Sequence, residues 1–441
     1  MAGSRQSIRE LVGLELLICS YIVACCISLV CVSIQFPAYH ILYQAAGLLG
    51  AVVVIATFAL ISPLFVFSKF SFGYFVGFYF YSMLIGYLWL NHFSEFGYNH
   101  LLAGLSASAS AIAFLLPALF IGSPIRQIWI PSPSTFDRLL NAVLLLGIGI
   151  VAIGATYNFR PIALDNDAYI FRETLRFPTV LSYLIGITSS ALLPFAFGCF
   201  LERKYLWRAG AALILLLLFF PITLSKLTLL SSAWIVAFAL LSRLFEARIA
   251  VVVSLFAPLV VGIILYALFK SGVVLEGAAI PYFSLVNFRM IAIPSMAMDY
   301  YNDFFARNDP THFCQIQLLK LSIACPYREP LAILIYKAFG IGGNFNASLF
   351  ATEGIASVGT KFAPVTAFVC SLAIALGNRM SSGLPPRLIL TSGAILAYVL
   401  LNVPLTVTMI THGAAVLFLL WYVTPRTMFE QEASHPSALA H

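Results

Sequence analysis

Four basic side chains offer phosphate chemistry in this chain: Arg172, Arg176, Lys226 and Arg289. The stretch from Asp165 to Pro178 opens on Asp165-Asn166-Asp167, good helix N-caps, and closes on Pro178, which ends helices. Between them, Tyr169, Arg172 and Arg176 stand at i, i+3 and i+7 and share one helical face. Guanidinium groups bind phosphate bidentately and keep their charge at any ordinary pH. The other reading puts both arginines on lipid headgroups, or pairs them with Glu173. Asp165-Asn166-Asp167 also has the D-x-D form of metal–nucleotide sites. That motif works at the strand ends of a soluble nucleotide-binding domain, for which the chain has no room. Capping is therefore the preferred reading, and no metal or cofactor is expected. Lys226 interrupts two apolar runs, where an ammonium either binds phosphate or snorkels to an interface. Pro294 suits the first turn of a helix, Ile293–Ala306, which leaves Arg289 beside a positive helix end. Alternatively that helix begins earlier and kinks at Pro294.

Proton transfer needs a different kind of group. Glu353 follows a glycine-rich run, Gly340-Ile341-Gly342-Gly343, and the pair Asn344 and Asn346. Glycines there permit a tight turn with open backbone N–H groups, and the asparagines bind a hydroxyl-rich ligand or cap the next helix. Glu353 either takes a proton from a hydroxyl or pairs with Lys361 or an arginine. His312 is a second candidate base, or an idle, solvated loop histidine. Tyr300, with Tyr282, Tyr301 and Tyr327 near it in sequence, either stacks on a sugar face or joins an interfacial belt.

The elements that position these groups follow from composition. Of 441 residues, 61% are hydrophobic and 9% charged, against about 25% charged in soluble domains. The fold class is all-α, a polytopic integral membrane protein forming one membrane domain over 1–441. Spans need about 20 apolar residues each. Twelve candidates read as 11–33, 40–66, 71–90, 101–121, 138–156, 180–201, 209–223, 227–242, 249–269, 362–378, 387–402 and 405–423. The net charge of +7 sits in short turns, as orientation signals do, and does not indicate nucleic acid. Arg5, Arg9, Lys69, Arg126, Arg138, Arg203, Lys204, Arg208, Arg243, Arg248, Arg379, Arg387 and Arg426 all fall on one side, with both termini, which makes that side cytoplasmic. The outer side receives two larger loops, 157–179 and 271–361, containing short helices and most of the candidate residues. Six of the eight cysteines lie in apolar runs; Cys314 and Cys325 lie in the second loop, as a disulfide or as two thiols.

In order and topology the chain resembles Wzy-type O-antigen polymerases. The matching pieces are Arg172-Glu173 followed by Tyr183-Leu184 and Leu192-Leu193-Pro194; Lys226; Arg289 with Pro294-Ser295; Asn344 and Asn346 followed by Gly354 and Val358-Gly359; and Pro404-Leu405-Thr406-Val407. They run from Arg172 to Thr411, and the first 150 residues or so match in hydropathy only. The resemblance implies a GT-C-like architecture in the bacterial inner membrane, with the two large loops periplasmic. It implies that lipid-linked repeat units are joined on undecaprenyl pyrophosphate, with release of undecaprenyl pyrophosphate. Arg172 and Arg289 match the family's essential loop arginines. The implied partners are the lipid-linked repeat units, the bilayer, and a chain-length regulator and flippase of the same pathway. An Arg-x10-Gly motif of some members would place glycine at 183 and 300; Tyr183 and Tyr300 stand there, so that motif is not carried over. Two other functions remain open: an O-antigen ligase acting on lipid A core, with His312 as base, and a transporter of lipid-linked sugars.

Overall fold

The computed structural model describes residues 2–160, 175–316, 319, 323–340 and 351–430, and no side chains at 2–9, 351 or 430. Among the described residues the chain is helical, without strands. Among the described residues, ten helices are long and apolar enough to cross a membrane: Glu10–Gln35, Ala45–Phe67, Phe72–Phe93, His100–Phe120, Pro133–Tyr157, Thr179–Glu202, Leu206–Thr223, Lys226–Leu244, Ala247–Lys270 and Ala363–Ser381. They coincide with the first ten expected spans. The last two expected spans correspond to shorter helices, Pro386–Val399 and Ala414–Val423. The chain divides into two compact units.

The first unit comprises Met1–Ile121, Arg248–Ala375 and Leu400–Leu405. Its centre is the Phe72–Phe93 helix, started by the Ser71 side chain, which accepts from the Tyr74 N–H. This helix is buried on all sides, and hydroxyls stitch it to its neighbours. Tyr79 Oη meets Ser254 Oγ at 2.9 Å, and Tyr21 bonds Ser82. Helices in lipid gain no hydrophobic drive from each other, so close packing and such bonds must hold them.

Against this helix lies the segment Glu276–Phe305. The sequence reading placed it in an outer loop. It is instead one continuous helical path in three parts: Glu276–Phe283, a π-helical stretch Ser284–Ala292, and Ile293–Phe305. The widened turns, followed by Pro294 without an N–H, are the two usual causes of a sharp bend. Its partners trace the path. Tyr282 Oη donates to the Pro258 carbonyl at 3.2 Å, and Asn287 Nδ2 to the Leu259 carbonyl at 3.1 Å and Ser28 Oγ at 2.9 Å. Met290, Ile291 and Pro294 share a small cavity with Leu255, Tyr79 and Met83. Ser295 Oγ then donates to the Met83 carbonyl at 3.0 Å, and Asp299 accepts from Ser94 Oγ at 2.9 Å. The segment enters beside the end of the Ala247–Lys270 helix, descends to the level of Leu255 and Tyr79, and climbs back to the Ser94 connection. It is re-entrant. Gly86 lets it approach: a Cβ there would sit 2.1 Å from Ser295 Oγ.

The second unit comprises Gly122–Ala247, Leu376–Val399 and Thr406–His441. At one end Asp137 bridges Arg203 at 2.6 Å and Arg208 at 3.2 Å. Arg387 Nε reaches the Ser242 carbonyl at the same end of the bundle, at 2.9 Å. At the opposite end Asn158 Nδ2 donates to the carbonyls of Pro221 at 3.1 Å and Ile222 at 2.8 Å, and the Arg160 N–H donates to Pro221 at 3.0 Å.

Candidate functional site

Arg289 is exposed on the surface of the first unit, one residue before Met290 at the deepest part of the re-entrant path. The expected helix end beside it is absent, because the helix runs on through Ala292 into Ile293. An anion there is met by the guanidinium, not by open backbone N–H groups. What the sequence reading missed is depth: Arg289 is exposed on a helix whose neighbouring residues Asn287 and Met290 lie beside Leu259 and Leu255, level with the middle of the Ala247–Lys270 helix. A charge in such surroundings is costly and is kept where it meets a charged ligand or a water-filled cavity. The π-helical backbone around it is a feature frequent at functional sites.

Glu353 sits on the short helix Ala351–Val358, buried, beside Tyr301 of the re-entrant segment and Cys370. Burial pushes its carboxyl up to about 7. The expected pairing with Lys361 or an arginine does not occur: among the described residues no basic side chain pairs with Glu353. Such an acid exchanges a proton near neutrality, as a general base must. Tyr301, the neighbour of Glu353, lies about three turns of helix beyond Arg289 along the re-entrant path. The structure therefore does not bring Glu353 to Arg289.

His312 lies next to the same short helix, its N–H donating to the Ser357 carbonyl at 3.1 Å. Its backbone is left-handed, φ 49°, and its ring is exposed and without a hydrogen-bond partner among the described residues. Tyr300 is corrected by the structure. It is fully buried, its Oη donates to the Tyr39 carbonyl at 2.9 Å, and its ring is enclosed by Phe96 and Phe339. It is closed to a sugar and serves as packing. Cys314 and Cys325 form a disulfide, with Cα atoms 5.2 Å apart.

In the second unit, Arg176 and Lys226 are both exposed. Phe177 packs its ring on Tyr157, centroids 6.1 Å apart, so Arg176 stands at the end of the unit where Asn158 and Arg160 grip the turn leading to Lys226. Arg160 thus joins Arg176 and Lys226 at one end, a basic residue the sequence reading passed over. Tyr169, Arg172, Asn344, Asn346 and the D-x-D triplet lie outside the described residues. Among the described residues no cluster of three metal-binding side chains occurs.

A second constellation also escaped the sequence reading. Asp299, Asn302 and Asp303, at i, i+3 and i+4 on one face of the re-entrant helix, bond to residues far away in sequence. Only the periodic placement of polar residues in Asp299-Tyr300-Tyr301-Asn302-Asp303 hinted at it. No protein-family model, curated protein or solved structure matches the chain.

Proposed function

We propose that this membrane protein binds a lipid-linked pyrophosphate sugar at Arg289 and joins such repeat units, releasing the polyprenyl pyrophosphate. The observation that carries this reading is the Arg289 guanidinium, exposed on a broken, re-entrant helix at the depth of apolar spans. A lipid-borne anion reaches that depth; a water-soluble one has little reason to. Breaking a sugar–pyrophosphate bond requires stabilisation of charge on the leaving phosphates, which a fixed guanidinium supplies. Arg160, Arg176 and Lys226 offer the same chemistry in the second unit, and Glu353 offers a proton acceptor. The disulfide supports an oxidising compartment for the Cys314–Cys325 end, the side where lipid-linked units are joined by enzymes of the resembled kind. A chain-length regulator and a flippase are the partners this reading proposes.

The test is purified protein given a synthetic undecaprenyl-pyrophosphate-linked repeat unit. The expected product is a ladder of longer lipid-linked chains. Arg289→Ala lowers the rate by about 100-fold or more, the scale of losing one transition-state charge contact, and Arg289→Lys recovers only part of it because ammonium lacks the bidentate fork. A ladder of wild-type rate from Arg289→Ala rejects the site. Transfer seen only with lipid A core as acceptor makes the protein a ligase. Transport is favoured by one specific observation: broken helices carrying charge at mid-depth also mark transporter binding sites. Movement of the lipid-linked unit across a vesicle membrane without covalent change would establish that function instead.

A further inference from the structure

The helix Ala351–Val358 that carries Glu353 is too short to hold itself. Isolated helices below about 12–15 residues are marginal, so its order must come from its neighbours. Its C-terminal end is fastened by a separate piece of chain. The Thr311 N–H donates to the Ala356 carbonyl at 2.7 Å, and the His312 N–H to the Ser357 carbonyl at 3.1 Å. These are carbonyls that a helix end leaves without an internal partner. Thr311 Oγ1 also meets Ser357 Oγ, buried, at 3.1 Å. Ala356 and Ser357 stand at i+3 and i+4 from Glu353, one turn on and over the same face.

The chain that makes these bonds does not keep its shape unaided. His312 and Phe313 are both left-handed, φ 49° and 63°. That region is costly for a residue with a side chain and persists only where the surroundings enforce it. The enforcing group follows at once: Cys314 is buried and bonded to Cys325. On either side of this bridge, Tyr327 Oη donates to the Asp309 carbonyl at 2.7 Å and Gln315 Nε2 to the Glu329 carbonyl at 3.3 Å. The disulfide is the covalent tie among them.

We propose that the Cys314–Cys325 disulfide is a clasp that positions Glu353: it holds the His312–Phe313 turn, and with it the Thr311 and His312 N–H groups, against the end of the Glu353 helix. Cys314, Cys325 and Thr311 are positioning residues and touch no substrate. That the positioned group is a base rests on the proposed function; the clasp itself does not. Glu353 faces Tyr301 from the re-entrant helix and Cys370 from the Ala363–Ser381 helix, neither of which can supply a positive charge. Lys361 is exposed and lies over the Phe362 ring, and His312 is exposed as well. Burial therefore sets the Glu353 carboxyl, at about 7. Loosening the helix admits water, which favours the carboxylate and moves that value down toward the ordinary range near 4.5.

The experiment reduces the folded protein, so no variant has to fold without the bridge. The six other cysteines are free, which leaves a reductant one target. A dithiol supplies two electrons and two protons, leaves as its cyclic disulfide, and converts the bridge to two thiols; Cys325 is partly exposed and open to the attack. Hydrogen exchange of residues 352–358 is followed by mass spectrometry on the full protein in detergent. It should speed up by about tenfold or more on reduction and return on reoxidation. The Glu353 carboxyl is followed by infrared spectroscopy, as the band missing from Glu353→Gln. It should titrate near 7 in the oxidised protein and lower by about one pH unit or more in the reduced one. Cys314→Ser combined with Cys325→Ser should match the reduced protein in both. Unchanged exchange on reduction overturns the clasp. Faster exchange with an unmoved titration makes the bridge merely structural and overturns the positioning of Glu353. Transfer between synthetic lipid-linked units is read on the same samples. A loss of about tenfold or more on reduction, restored by reoxidation, supports the clasp as part of the reaction. If Glu353→Gln works at the wild-type rate while reduction still frees the helix and shifts the titration, the assignment of the base has failed and the clasp stands.

Discussion

Arg289 and Glu353 both keep an ionisable group where apolar packing would be cheaper, but they carry opposite liabilities. A guanidinium cannot shed its charge, so it must find an anion or water. A carboxyl can, and Glu353 does so partly: burial lifts it to about 7, so near neutrality the population is split. This gives two signatures. In stability, the folded protein holds a proton that the unfolded chain has lost between the ordinary carboxyl range, near 4.5, and about 7. The stabilisation is complete below that window and is lost as pH rises through it. Glu353→Gln should flatten this dependence, read as the midpoint of thermal unfolding against pH. In catalysis, a base of this kind gives a rate that rises with pH through about 7 in the wild type. Glu353→Gln should be slower by about 100-fold or more and lose that limb. An unchanged limb in the variant means another group takes the proton.

The re-entrant segment shows why an element can be misplaced when its neighbours are placed well. The ten spans are legible because each is a run of apolar residues of the right length, and that property is local. Glu276–Phe305 is broken by Asn287, Arg289, Ser295, Asp299, Asn302 and Asp303, and polarity of that density reads as water. Most of those polar groups are instead satisfied by Ser28, the Met83 carbonyl, Ser94, Tyr98, Tyr87 and Gly97, from remote parts of the chain. No local pattern encodes such partners. The candidate site divides the same way. Arg289, Arg176, Lys226 and Glu353 were recognisable as chemically unusual, whereas the depth of Arg289, the burial of Tyr300 and the role of Asp299 depend on packing. Packing also makes a prediction. The two glycines facing the segment leave no room for a methyl group: a Cβ at Gly262 would lie 1.7 Å from Asn287 Oδ1, and one at Gly86 would lie 2.1 Å from Ser295 Oγ. Gly86→Ala should cost about 1–3 kcal/mol as an overpacked core does, and Ser295→Ala in the same chain should return part of it, read by thermal unfolding in detergent. Full tolerance of Gly86→Ala would show that the segment is not held there.

Across the whole molecule, the ends of each unit repeat one charge logic. In the second unit Asp137, Arg203, Arg208 and Arg387 gather at one end, and the grip of Asn158 and Arg160 on Pro221 lies at the other. In the first unit Arg248 Nη1 bonds the Val66 carbonyl at 3.1 Å and the Ser68 carbonyl at 3.3 Å, next to Lys69, while the re-entrant arms and the disulfide belong to the end where Tyr39, Ser94 and Tyr98 lie. Positive charge flanks spans on the cytoplasmic side, and disulfides persist on the oxidising side. Applied to the first unit, both rules support one proposal: the Lys69 and Arg248 end inside, the Cys314–Cys325 end outside. Fusion of a phosphatase that works only after export tests this directly. Joined after Tyr327 it should be active, and joined after Lys69, Lys204 or Gly383 it should be inactive, with a cytoplasmic fluorescent reporter giving the opposite pattern. Activity at Lys69 together with silence at Tyr327 would invert the protein. It would place the disulfide in a reducing compartment and remove the export-side setting from the proposed reaction.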